Sequence, residues 1–325
     1  MKHRSITSLS LVVFMGLIIL LSMSHQAQSH PVKLTEAKEG FVGPVWSPDG
    51  RSLAMTRGDR IGIWRMNSDG TGLEQLTADR ASGYKFAWSP DSRHIAYRAE
   101  KMIDGKRYFA IKVVDVEDKA VHQIEDYQRF LGTPRWISGD GTIVYETDRD
   151  GTLAKTHASQ LALSQIQNEA MDLVATTSRD LQIWISHPDG RDRILISGPD
   201  QRCFDPILSP DGGRVCYTSL EHAGSISVVY IDGTHRINLG YGSDPCWSPD
   251  GLRLVYEVTE DDGMVITGSD LYLIRFDGQA RVRLTNTPDL IERGPAWSPD
   301  GTRIAFSAAG AIYTVPVQPP TTSEE

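Results

Sequence analysis

The stretch WSPDG at residues 46–50 returns unchanged at 247–251 and at 297–301. Three identical copies in a 325-residue chain of ordinary composition mark an internal repeat, and a repeat decides the fold before local propensity does. Looser copies stand at 88–92 (WSPDS), 136–141 (WISGDG) and 208–212 (LSPDG), so the anchors are Trp46, Trp88, Trp136, Leu208, Trp247 and Trp297. Within the motif, Pro presets φ, Ser and Asp cap nearby backbone groups, and Gly accepts a positive φ. Together they form a type I turn that links two strands. The aromatic residue before the turn suits a wedge between packed sheets. Stacking on carbohydrate is the alternative, and it fits less well with a position that recurs in every unit.

A β-rich run follows each anchor: SLAMT (52–56), HIAYR (94–98), TIVYE (142–146), RVCYT (214–218), RLVYE (253–257) and RIAFS (303–307). A second strand follows and commonly ends in a DG turn, as in IGIWRMNSDG (61–70), LQIWISHPDG (181–190) and LYLIRFDG (271–278). A third is short, as in LEQLT (73–77) and RVRLT (281–285). With the strand leading into the anchor, each unit has four strands, the signature of an all-β propeller of four-stranded antiparallel blades.

The anchors are 42, 48, 72, 39 and 50 residues apart. The long interval holds two junctions between a second and a third strand, ETDRDGTL (146–153) and TTSRDLQIW (176–184), where one blade has one. Seven blades are therefore favoured, with six blades and an insertion the alternative. The last unit stops at AIYTVPV (311–317) without a fourth strand, and PVKLT (31–35) has the form of that strand. The amino-terminal strand is expected to close the ring and cover an edge.

WSPDG followed by IAY or IAF, then IW or IY, a DG turn and a Leu-Thr strand resembles the TolB-like, WD40-like repeat of bacterial envelope propellers. The resemblance spans the chain beyond residue 29 and implies a fold more than one activity. TolB has a separate domain before its propeller. Here the first blade begins soon after the leader described next, so a stand-alone propeller is expected.

Lys2 and Arg4 precede an apolar run from Leu9 to Leu21, followed by small and polar residues through Ser29. This is the layout of a secretory signal peptide over residues 1–29, which leaves a single propeller over 30–325 in the periplasm or outside the cell. An uncleaved tether is the alternative, and the run is short of the roughly 20 residues that a membrane-spanning helix uses. Removing Lys2 and Arg4 takes the formal charge from −9 to −9 − 2 = −11, without a basic block, so nucleic acid is not an expected partner. Cys203, Cys216 and Cys246 show no metal spacing and are expected as buried free thiols, although a Cys203–Cys216 bridge is an option.

Because strand direction alternates, the SPDG and DG turns share one face of the disc and the variable links share the other. Loops on a rigid scaffold carry sites, and Tyr and Arg dominate recognition surfaces. The binding candidates on the variable face are Arg60, Tyr84, Arg129, Phe130, Arg149, Tyr241 and Arg293. No GxSxG elbow and no HExxH motif appears, and neither Asp148 with Asp150 nor Glu260–Asp262 completes a calcium loop. The expectation is a monomeric, non-enzymatic propeller without a cofactor, metal or catalytic residue, which binds an envelope protein or peptide. A metal-dependent polysaccharide lyase, with His and carboxylate groups meeting at the axis, is the alternative.

Overall fold

The computed structural model describes residues 30–137, 141–158, 173–178, 180–198, 200–221 and 224–318. The expected signal peptide lies outside them, as does part of the 136–141 turn. Seven antiparallel sheets follow one another along the chain, five with four strands and two with three described strands. We number them as blades 1–7 from the inner strands outward. Blade 1 uses Phe41–Trp46, Ser52–Arg57, Ile63–Asn67 and Glu74–Thr77, in that spatial order. Blades 2, 3, 5 and 6 start at the inner strands Ala87–Trp88, Arg135–Trp136, Cys203–Leu208 and Ser243–Trp247. Blade 4, hidden in the long anchor interval, has Val174–Thr177, Ile183–Ser186 and Ile194–Leu195.

Blade 7 contains Arg293–Trp297, Arg303–Ala308 and Ala311–Pro316, and its outer strand is Val32–Lys33 from the other end of the chain. Val32 pairs with Thr314 and Lys33 with Tyr313. The Leu34 N–H donates to the Ile312 carbonyl at 2.8 Å, and the Ile312 N–H donates to Thr35 Oγ1 at 2.9 Å. The ring is thus closed by the amino-terminal strand, and that edge of blade 7 is covered.

The SPDG turn is a small hydrogen-bond machine that is the same in five blades. The serine hydroxyl donates to the aspartate two residues on, as in Ser47 to Asp49 at 2.6 Å and Ser298 to Asp300 at 2.6 Å. The same hydroxyl accepts the N–H that opens the second strand, at 2.9 Å for both Ser52 and Arg303. The aspartate accepts the N–H beyond the glycine, at 3.1 Å from Arg51 and 3.0 Å from Thr302. The Ser298 hydroxyl holds the Asp300 carboxyl below its ordinary range. The fourth residue is left-handed in every copy, with φ of 70° at Gly50 and Gly301, and Ser92 adopts 62° where the other copies have glycine.

The turn fixes the height of the anchor beside it. The Trp46 indole N–H donates to the Ala296 carbonyl at 3.1 Å, Trp88 to Val45 at 3.2 Å, Trp136 to Ala87 at 3.1 Å and Trp247 to Ile207 at 3.1 Å. In each case the acceptor is the residue just before the anchor of the preceding blade. Around these bonds lie apolar clusters, each shared by two adjacent blades. Leu208, which has no N–H to give, packs at the edge of the cluster between blades 4 and 5. Guanidinium groups cover the outer rim of the wedges: Arg303 lies 4.8 Å from the Trp46 ring and Arg253 lies 5.2 Å from the Trp297 ring.

A polar tie also joins blades 6 and 7. Glu257 is fully buried, and its carboxylate accepts Arg293 Nη1 at 2.8 Å and the Gly294 N–H at 2.6 Å. Burial first, and then the neighbouring Asp244, push this carboxyl up to about 8. All three cysteines are free, and burial pushes the Cys216 thiol up.

Two outcomes follow for stability. Trp46→Phe keeps the ring but removes its hydrogen bond, so urea unfolding should show a loss of about 0.5–1.5 kcal/mol, against about 3–5 kcal/mol for Trp46→Ala. For Glu257 the folded carboxyl titrates near 8 against an ordinary value of 4.5, so the folded state holds a proton that the unfolded chain releases. Stability therefore falls as pH rises from about 5 to about 8, and Tm measured against pH should show this decline in the wild type and its loss in Glu257→Gln.

Candidate functional site

Four inner strands break register at one place: between Val42 and Val45, Phe204 and Ile207, Ser243 and Cys246, and Arg293 and Ala296. Each break is a β-bulge three residues before the anchor, with a left-handed residue at its centre. The φ values are 61° at Gly43, 51° at Asp205, 47° at Asp244 and 58° at Gly294, and Lys85 at the equivalent place in blade 2 has 52°. Glycine adopts this conformation freely, whereas Lys85, Asp205 and Asp244 hold it at a cost of order 1 kcal/mol each.

These bulges bring charge to the axis. Lys85 of blade 2 and Asp205 of blade 5 form an ion pair across the ring, and both side chains remain partly exposed. Asp244 of blade 6 stands next to the Glu257–Arg293 tie. On the other side, Gly43 and Gly294 are close neighbours: a Cβ on Gly294 would lie 3.7 Å from the Gly43 Cα. The mouth of the channel thus has a charged side and a bare-backbone side. No simple sequence search for Arg and Tyr finds this column. Its signal is the Gly-Pro or Asp-Pro pair before the anchor, present as GPVW, DPIL, DPCW and GPAW.

The residues singled out by sequence differ in their surroundings. Arg60, itself left-handed at φ 61°, and Arg149 are exposed on the links after the second strands of blades 1 and 3. Tyr84 is exposed with the Arg98 guanidinium 5.2 Å from its ring, and Arg129 lies 5.3 Å from the Tyr108 ring beside half-buried Phe130. Tyr241 is exposed, its hydroxyl 2.5 Å from Thr259 Oγ1. Arg293, by contrast, is half-buried and pairs with the fully buried Glu257. The links bring Arg60 and Tyr84 close, since the Gly83 N–H donates to the Arg60 carbonyl at 3.3 Å.

Among the described residues no group of three His, Cys, Asp or Glu side chains is placed to hold a metal ion. His94 is buried between Asp91 at 3.8 Å and Asp115 at 3.5 Å, and desolvation lowers its affinity for a proton. It packs at the start of a second strand, far along that strand from the variable face. No described helix is long and apolar enough to cross a membrane.

Comparison with known proteins agrees with this architecture. Residues 169–318 match the family model described as the TolB beta propeller domain. A putative TolB from Agrobacterium tumefaciens superposes with a TM-score of 0.51 at 20% identity, over 86% of this chain and 90% of that one. TolB from Acinetobacter baumannii gives 0.47 at 14% identity, over 86% and 63% of the two chains. An oligogalacturonate lyase in complex with manganese gives 0.48 at 16% identity, over 85% and 76%. At these identities the likeness is one of fold. No curated protein sequence matches the chain. By its repeat and its seven-sheet ring the chain is a β-propeller, and over residues 169–318 it is similar to the TolB beta propeller domain.

Proposed function

We propose that this propeller is an exported, non-enzymatic platform that binds a protein or peptide of the cell envelope on its variable face. The observation that carries the reading is the column of axial bulges. Lys85, Asp205 and Asp244 are held in left-handed backbone at the channel mouth, partly exposed, on a ring whose opposite face is occupied by the repeated turns. Strain of this kind is retained where a surface has work to do. A chain segment laid across the mouth would meet charge at Lys85 and Asp205 and backbone at Gly43 and Gly294, and would be flanked by Arg60, Tyr84, Arg149 and Tyr241. The lyase alternative asks for metal-binding groups at the axis, and the described residues offer no three-donor set to support it.

Export is part of the proposal and rests on the apolar leader at 9–21 with Lys2 and Arg4 before it. A partner recognised at central charges and flanking Arg and Tyr side chains would bind with salt-sensitive association and would lose affinity on loss of the tyrosines.

Crosslinked recovery from envelope extract tests the face. A variant carrying Arg60→Glu, Tyr84→Ser and Arg149→Glu should lose the partner that the wild type retains. Arg51→Glu, on an exposed SPDG turn of the opposite face, should retain it. Equal recovery by all three proteins removes the case for the variable face.

A further inference from the structure

Among the described residues, two links on the variable face project well beyond the rest. In blade 2 the second and third strands, His94–Ile103 and Lys106–Asp115, stay paired over 10 residues each, up to a turn at Asp104 and Gly105. In blade 6, Arg253–Asp261 and Ile266–Arg275 stay paired as far as Asp261 and Ile266. The corresponding described strands of the other blades have 4–6 residues. At a rise of about 3.3 Å per residue, three or four further pairs carry each tip roughly 10 Å past its neighbours.

The tips are opposite in charge and alike in their apolar ends. The blade 2 hairpin presents Lys101, Lys106 and Arg107 to solvent, with Asp104 exposed in its turn and Glu100 3.9 Å from Arg107, so its exposed charge is net positive. The blade 6 hairpin presents Glu260, Asp261 and Asp262, and no Lys, Arg or His occurs between residues 258 and 270. Met102 is 51% exposed at the first tip, and Met264 is 91% exposed at the second. A protein that keeps large apolar side chains in water at two raised points has a surface fitted for contact.

We propose that two copies of this chain associate through these hairpins, variable face to variable face. Both hairpins join a second strand to a third, so they stand at the same distance from the axis. Blades 2 and 6 are also placed evenly on either side of blade 4. A half-turn about a line in the plane of the disc, through blade 4 and the junction of blades 7 and 1, therefore exchanges them. That operation sets the basic hairpin of each copy on the acidic hairpin of the other, twice, in one self-complementary contact. The two tips of one chain carry complementary net charge, so a second copy supplies both partners at once, and this is what favours a second copy over a foreign protein. The assembly differs from the monomer expected from sequence, and it does not depend on the binding role proposed above. With contact confined to two tips, it is weak and responsive to salt.

Sedimentation velocity of the full chain tests the proposal, at about 0.01 M salt, where the screening length is about 30 Å, and at about 1 M, where it is about 3 Å. Dimer should form in the first condition and dissociate in the second. Glu260→Lys with Asp261→Lys makes both hairpins basic, and Lys101→Glu with Lys106→Glu makes both acidic. Each variant should be monomeric alone, an equal mixture should form a heterodimer, and the four substitutions combined should restore self-association. Near-ultraviolet circular dichroism checks that each variant keeps its fold. A wild type that stays monomeric at low salt overturns the proposal, as do variants that dimerise alone or a mixture that does not associate.

Discussion

The hydrogen bond from one blade's indole N–H to the carbonyl just before the anchor of the preceding blade is the constraint on which the molecule depends. It ties two neighbouring blades at a fixed height, buries the ring of the donor between them, and repeats with distances of 3.1–3.2 Å in blades 1, 2, 3 and 6. The SPDG turn exists to hold that donor in place. Its serine and aspartate saturate the local N–H groups, so the strand entering the turn and the strand leaving it have one relative position. Blades 5 and 7 depart from the rule in different ways. Leu208 substitutes bulk for the bond, whereas the Trp297 indole N–H is buried without a partner among the described residues, in the cluster that also holds Cys246. A buried orphan donor costs about 1–3 kcal/mol, so the rest of the ring carries that deficit.

The scaffold was legible in the sequence because a repeat samples the same physics several times. Blade 4 could be found from two second-to-third strand junctions in one anchor interval, and the closing strand from the missing fourth strand of blade 7. What could not be read were features that depend on a single blade's context. Left-handed backbone at Lys85 has no local cue, since Lys gains nothing there, and the cue at Gly43 and Gly294 is recognisable only when inner strands are aligned on their anchors. The pairing of Arg293 was hidden too, because its partner, Glu257, lies in another blade and is drawn to it only by closure of the wedge. Hairpin height was equally hidden, since links of similar length can be either loose or paired.

The two faces of the disc have divided their labour. One is filled by repeated turns that satisfy their own backbone and leave little to offer a partner. The other keeps strained residues, unmatched charges and exposed methionines, all of which cost stability in isolation. The expense is tolerable because the wedges supply a surplus that does not pass through that face: each apolar cluster is complete between two blades.

Blade 7 also sets the order in which the chain can fold. Blades 1 to 6 can condense from segments that are near one another in sequence, whereas the bond from the Ile312 N–H to Thr35 Oγ1 joins groups 277 residues apart. Contacts of such separation are intrinsically late and slow, because the chain entropy between the ends is lost before the contact repays it. Until then an arc of finished blades carries an open wedge at each end. The final pairing of Val32 with Thr314 converts that arc into a ring in which no blade is terminal.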